Sequence, residues 1–203
     1  MYLKEACVES VEEAIKAEIQ GADRLEYCSA LEWEGLTPDY EQVHQVLDKV
    51  SIPVMVMIRP RKGDFNYSEE EFQVMKEQIL RFKKLGITGV VFGLLKDGSV
   101  DLEKTRSLAR IASPLEVCFH KAIDELEDPV TGVITLLEIP EITRILTSGG
   151  ARTALDGREK LREMLKVAEG SISIMPAGKV RPSNIGSLHQ ILGAKEYHGR
   201  GIV

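Results

Sequence analysis

The sequence predicts a (β/α)8 TIM-type barrel lacking its last helix, built as one domain over residues 1–203. Three observations lead there. Short apolar segments alternate with amphipathic ones at a period of about 25 residues, the spacing of a βα unit. No linker or low-complexity stretch interrupts this rhythm, and 203 residues are too few for two ordinary α/β domains. The first strand runs into Cys7-Val8-Glu9-Ser10, without the glycine-rich phosphate turn that marks a doubly wound sheet.

The first strand is expected over Leu3–Glu9. Ser10 caps the helix behind it, with Glu13 at capping-box spacing. Arg24–Cys28 is the second strand, and Pro38-Asp39-Tyr40-Glu41 opens the next helix. Pro53–Arg59 leads to Ser68-Glu69-Glu70-Glu71, the start of a long helix that stops before Gly86. Gly89–Gly93 is followed by a helix from Asp101-Leu102-Glu103-Lys104. Leu115–His120 is followed by one from Asp128-Pro129, with proline at the first helical position. Thr143–Thr147 precedes a helix beginning at Thr153 or Asp156, and Ser171–Met175 one beginning at Arg181-Pro182-Ser183-Asn184. Lys195–His198 is the last strand, and only Gly199 to Val203 follow it. Such alternation implies parallel pairing with right-handed crossovers. The groove between the first and seventh helices is expected to be bare and covered by another subunit. A homo-oligomer, first of all a dimer, is therefore expected.

Composition narrows the partners. Hydrophobic residues make up 43% and charged residues 29%, as in soluble globular proteins. No apolar run approaches the roughly 18 residues of a membrane span. Met1-Tyr2-Leu3-Lys4-Glu5 reads into a strand rather than a secretory leader. A net charge of −6 argues against nucleic acid, which needs a basic face. Three widely spaced cysteines fit reduced thiols, so the expected location is cytoplasmic.

Side chains of a strand alternate between faces. The outer face of a barrel lies under helices, where an unpaired charge is costly, so the charged parity should point inward. That places Glu5, Cys7 and Glu9 inside from the first strand, and Glu26 and Cys28 from the second. Met55, Met57 and Arg59 follow from the third, and Glu116, Cys118 and His120 from the fifth. Ser173 and Met175 come from the seventh, Glu196 and His198 from the eighth. Most barrels fill their interior with branched aliphatics; this one offers carboxylates, thiols, thioethers, imidazoles and one guanidinium. Glu5 and Glu116 come early in their strands and are expected to pair with basic residues at the bottom. Glu9, Cys28, Arg59, His120 and His198 ring the C-terminal mouth, where sites in this fold sit.

Several segments stand out together. They are Cys7-Val8-Glu9-Ser10, Glu26-Tyr27-Cys28-Ser29-Ala30-Leu31 with Glu34-Gly35-Leu36-Thr37-Pro38, and Val56-Met57-Ile58-Arg59-Pro60-Arg61-Lys62-Gly63-Asp64-Phe65. Further along come Gly89-Val90-Val91-Phe92-Gly93, Cys118-Phe119-His120-Lys121-Ala122-Ile123-Asp124, Arg144-Ile145-Leu146-Thr147-Ser148-Gly149-Gly150 and Met175-Pro176-Ala177-Gly178-Lys179-Val180-Arg181-Pro182-Ser183-Asn184. Taken in order, they closely resemble the CutC copper homeostasis family through essentially the whole chain. The resemblance implies a cytoplasmic (β/α)-barrel associated with copper tolerance. It points to Glu9, Glu26, Arg59, His120, Asp124 and Arg181, and matches Cys7 and Cys28 to cysteines proposed to bind copper. Lys121 stands where arginine is common and Ala177 where glycine is common. The C-terminal extension of longer members is absent.

Two chemistries follow, and both stay open. Cu(I) is soft and prefers thiolate and thioether donors, which Cys7, Cys28 and Met57 would supply from neighbouring strands. Alternatively, the protein is a lyase, isomerase or hydrolase acting on a phosphorylated or carboxylated metabolite. Glycines let backbone N–H groups approach an anion, so Ser148, Gly149 and Gly150, and then Gly178, Lys179 and Arg181, are candidate anion donors. Arg59 would clamp the anion, and Glu26 or His120 would act as acid or base. Lys121 has a parity that points away from the interior. The partner is thus a copper ion or a small anionic metabolite.

Overall fold

The computed structural model describes residues 2–203. Its barrel strands are β1 (Leu3–Val8), β2 (Arg24–Tyr27), β3 (Val54–Met57), β4 (Gly89–Phe92), β5 (Glu116–Phe119), β6 (Ile142–Thr147), β7 (Ser173–Pro176) and β8 (Glu196–Gly199). The helices are α1 (Val11–Ile19), α2 (Tyr40–Leu47), α3 (Glu69–Lys83), α4 (Leu102–Ala112), α5 (Pro129–Leu136), α6 (Arg158–Ala168) and α7 (Ile185–Leu192). A two-residue hairpin, Leu95–Lys96 with Ser99–Val100, decorates the loop after β4.

Sequence chemistry explains the helix starts. Ser68 and Glu71 form a reciprocal capping box on α3. Asp39, Asp101 and Asp128 cap α2, α4 and α5. Ser10 caps α1 by accepting from the Glu13 N–H, but the Glu13 carboxylate accepts from Glu9 N rather than closing the box. Two starts fall later than the sequence suggests. Thr153 and Asp156 bond each other in a turn, so α6 begins at Arg158. Asn184 bonds the Lys179 and Arg181 backbone, and α7 begins at Ile185.

All barrel strands pair in parallel, in the order β8-β1-β2-β3-β4-β5-β6-β7. The ring is nearly closed: β7 and β8 lie side by side without a backbone ladder. Side chains and a loop span this seam. Arg24 reaches both Met175 on β7 and Glu196 on β8. The Val180 carbonyl packs so closely on Gly199 that a Cβ there would lie 2.6 Å from it, which only glycine tolerates.

The expected alternation is realised. Ala6, Val8, Leu25, Tyr27, Val54, Val56, Val117 and Phe119 join the large apolar layer under the helices. Cys7, Cys28, Met55, Met57, Cys118, Leu146 and Met175 form a separate interior cluster. Towards the N-terminal end the interior is ionic. Arg24 pairs with Glu5 and Glu196, and Arg144 with Glu116 at 2.7 Å and Glu196 at 3.3 Å. Glu5 and Glu116 thus pair with basic residues at the bottom, as expected. The expectation of one inward guanidinium is corrected: Arg24 and Arg144 join Arg59. Arg24 lies two residues before Glu26 and shares its face. Arg144 shares the inward parity of Leu146 and alternates with outward Ile145; a register shift between β5 and β6 falls just beside it, at Val117/Cys118.

Candidate functional site

At the C-terminal mouth, residues of β1, β2, β3, β6 and β8, and of the segments that follow β2, β3, β5, β7 and β8, line a cavity of about 220 Å³. Cys7, Glu26, Met57, Arg59, His120, Leu146 and His198 line it from the strands and their ends. Leu31, Glu34, Phe65, Lys121, Gly178, Lys179 and Arg200 line it from the loops.

Glu26 is 2% exposed. Its Oε1 accepts from Cys7 Sγ at 3.3 Å, and its Oε2 has no partner among the described residues. Burial pushes its carboxyl pKa up. His198 Nδ1 lies 2.8 Å from Glu5 Oε1, and its Nε2 lies 3.9 Å from Glu26 Oε1. Burial opposes the charged imidazole, but Glu26 and Glu5 more than offset it and raise the His198 pKa. Burial alone would raise Glu5 as well; the His198 hydrogen bond and the Arg24 charge outweigh it and hold Glu5 at about 2. The Cys7 and Cys28 sulfurs lie 3.8 Å apart. The hydrogen bond to Cys28, then burial and the Glu26 charge, hold the Cys7 thiol well above its ordinary pKa.

His120 ends β5. Its Nδ1 accepts from the Ala122 N–H at 3.2 Å, so the neutral ring carries its proton on Nε2, which has no partner among the described residues. Burial, reinforced by Arg59, lowers its pKa from 6.5 to about 3. Gly93 makes room for this ring: a Cβ there would sit 2.5 Å from Nδ1. Arg59 is 4% exposed. Its Nη1 donates to the carbonyls of Trp33 and Gly35, and its Nη2 to that of Gly63, while Nε has no partner. Phe65 packs against both residues, 4.8 Å from the Arg59 guanidinium and 4.8 Å from the His120 ring centroid.

The other candidates lie elsewhere. Glu9 stays off the cavity wall, accepting from Leu31 N at 2.8 Å and Arg200 at 3.0 Å. Asp124 sits in the short turn Lys121–Glu125. Its carboxylate accepts from Thr147 Oγ1, Ser148 N, Ser148 Oγ and Gly150 N at 2.5–2.9 Å, and Gly149 N donates to Thr147 Oγ1. The donors expected to receive an external anion are therefore directed at the chain's own carboxylate or at Thr147. Gly178 and Lys179 line the cavity, whereas Arg181 is exposed and outside it. Lys121 lines the cavity despite its parity, because the chain turns after His120. Parity alone puts His198 at the mouth without a chemical role; the structure sets it between Glu5 and Glu26.

A family model described as the CutC family matches residues 2–203. The chain belongs to the CutC family. It is 44% identical to the human copper homeostasis protein cutC homolog over 97% of this chain and 72% of that one. It is 42% identical to the CutC family protein of Histophilus somni over 96% and 80% of the two chains. A solved structure bearing the CutC name, from Streptococcus agalactiae, superposes with a TM-score of 0.93 at 30% identity, covering 100% of both chains. A structure described as an aldolase matches with a TM-score of 0.73 at 14% identity, over 98% of this chain and 90% of that one. That likeness concerns the fold alone. No helix among the described residues is long and apolar enough to cross a membrane.

Proposed function

We propose that this CutC-family barrel binds Cu(I) through Cys7 and Cys28, with the Met57 thioether alongside. The observation that carries this reading is the 3.8 Å approach of the two sulfurs, within one interior cluster that includes Met57. Cu(I) favours such soft donors. Cys7, Glu26 and His198 also place one donor atom each within 4.8 Å of one another. That mixed set suits a borderline ion such as Zn²⁺ better. Glu26 accepts from the Cys7 thiol, and its upward-shifted carboxylate is a receptive base for the proton a metal displaces. Free Cys7, Cys28 and Cys118 thiols support a reducing, cytoplasmic location.

The test is anaerobic competition for Cu(I) against a chromophoric chelator. The wild type should bind one equivalent, and the Cys7→Ser, Cys28→Ser variant should lose it. Because thiol protons are displaced, log affinity should rise with pH, by about one unit per pH unit for each proton released. Undiminished affinity in the double variant would remove the thiolate site.

A second reading is favoured by the unpartnered Glu26 Oε2 and by His198 held against Glu5. These are acid–base groups in a cavity, the equipment of a lyase, isomerase or hydrolase acting on a small metabolite. A cavity that takes up no small organic molecule, neutral or charged, would end it.

A further inference from the structure

We propose that Arg59 and His120 form a carboxylate-binding subsite in the cavity wall, for a small organic acid with a short apolar body. This subsite rests on the second reading, in which the cavity takes a small molecule, and is independent of copper.

A buried donor without a partner is costly, and two such donors belong to residues lining one cavity. They are Arg59 Nε and His120 Nε2, each on a residue 4% exposed. Arg59 carries a buried positive charge whose neighbours are three backbone carbonyls, the Phe65 ring and the Tyr67 hydroxyl; among the described residues it forms no ion pair. A carboxylate supplies what is missing: one negative charge and two acceptor oxygens for two donors.

The surroundings hold both donors in place. Three carbonyls anchor the guanidinium, the Ala122 N–H fixes the imidazole tautomer, and Phe65 packs against both. Such pre-positioned donors lose little freedom on binding. Leu31, Met57, Phe65 and Leu146 add apolar wall. The volume of about 220 Å³ lies below the usual range of roughly 300–1,000 Å³ for drug-sized ligands, so the acid is small.

The metal-free protein should be titrated with pyruvate, with its neutral amide and with inorganic phosphate. Binding is read from the side-chain nitrogen resonances of the four histidines and by calorimetry. Pyruvate should move the His120 Nε2 signal saturably, and the amide should not. Arg59→Lys should weaken pyruvate about tenfold or more, since a hydrogen bond to a charged group is lost. Arg59 also braces two loops, so His120→Asn serves as the second variant: it keeps an acceptor for the Ala122 N–H and removes Nε2. Unmoved His44 and His189 signals report that each variant is folded. Equal binding of pyruvate and its amide would overturn the subsite while leaving a small-molecule cavity. Binding of neither would end both. Preference for phosphate would overturn the carboxylate assignment.

Discussion

His120 carries its proton on the side of the ring that has no partner, and the reason is local. The Ala122 N–H claims Nδ1, and Gly93 leaves space for the ring. This geometry has a measurable acid limb. The unfolded chain binds a proton on this imidazole near pH 6.5, whereas the folded one does so only near pH 3. Falling pH therefore draws the equilibrium towards the unfolded chain. The contribution of His120 is complete above about pH 6.5 and is lost towards pH 3, at a slope near 1.4 kcal/mol per pH unit. His198, shifted upward, acts in the opposite sense, so a difference between two proteins isolates the effect. Urea unfolding of the wild type and of His120→Asn at pH 7, 6 and 5 should show the wild-type advantage shrinking as pH falls. Parallel curves would mean that the ring is not held neutral. The sequence placed His120 at the mouth by alternation, but the orphaned Nε2 depends on the turn that directly follows it and on a glycine from the segment after β4.

The turn Lys121–Glu125 and the loop after β6 are one unit, joined by Asp124. Its carboxylate takes N–H and hydroxyl donors from Thr147, Ser148 and Gly150. Removing it leaves those donors unsatisfied. Asp124→Ala should cost about 3 kcal/mol or more in chemical denaturation, and Asp124→Asn less, since one acceptor oxygen survives. A loss below about 0.5 kcal/mol, typical of an ordinary surface change, would refute the role. This unit also explains why Thr147-Ser148-Gly149-Gly150 was hard to read. A glycine-rich loop offers the same donors to a phosphate as to an aspartate, and the aspartate stands more than twenty residues earlier in the chain. Helix starts fared better, because a cap and its helix are neighbours in sequence. The exceptions, α6 and α7, begin after turns whose own side chains compete for the backbone.

For the molecule as a whole, the ring of parallel strands and its two-faced alternation were legible, since a period of two needs only local sequence. The pairing inside the ring was not. Arg24 and Glu196 meet across 172 positions, and Arg144 and Glu196 across 52. The ionic floor beneath the sulfur cluster is thus a product of closure. Closure itself is uneven. Parting any other two neighbouring strands means tearing a run of main-chain bonds, whereas β7 and β8 need only let side chains slide. Deuterium should therefore enter soonest at the amides of Ser173–Met175 and Glu196–Gly199 that face this slit, ahead of those in β2 and β3. Equal protection all round would mean that the joint is locked. Because Gly178, His198 and Arg200 line the cavity beside it, any loosening of this joint would be felt directly at the site.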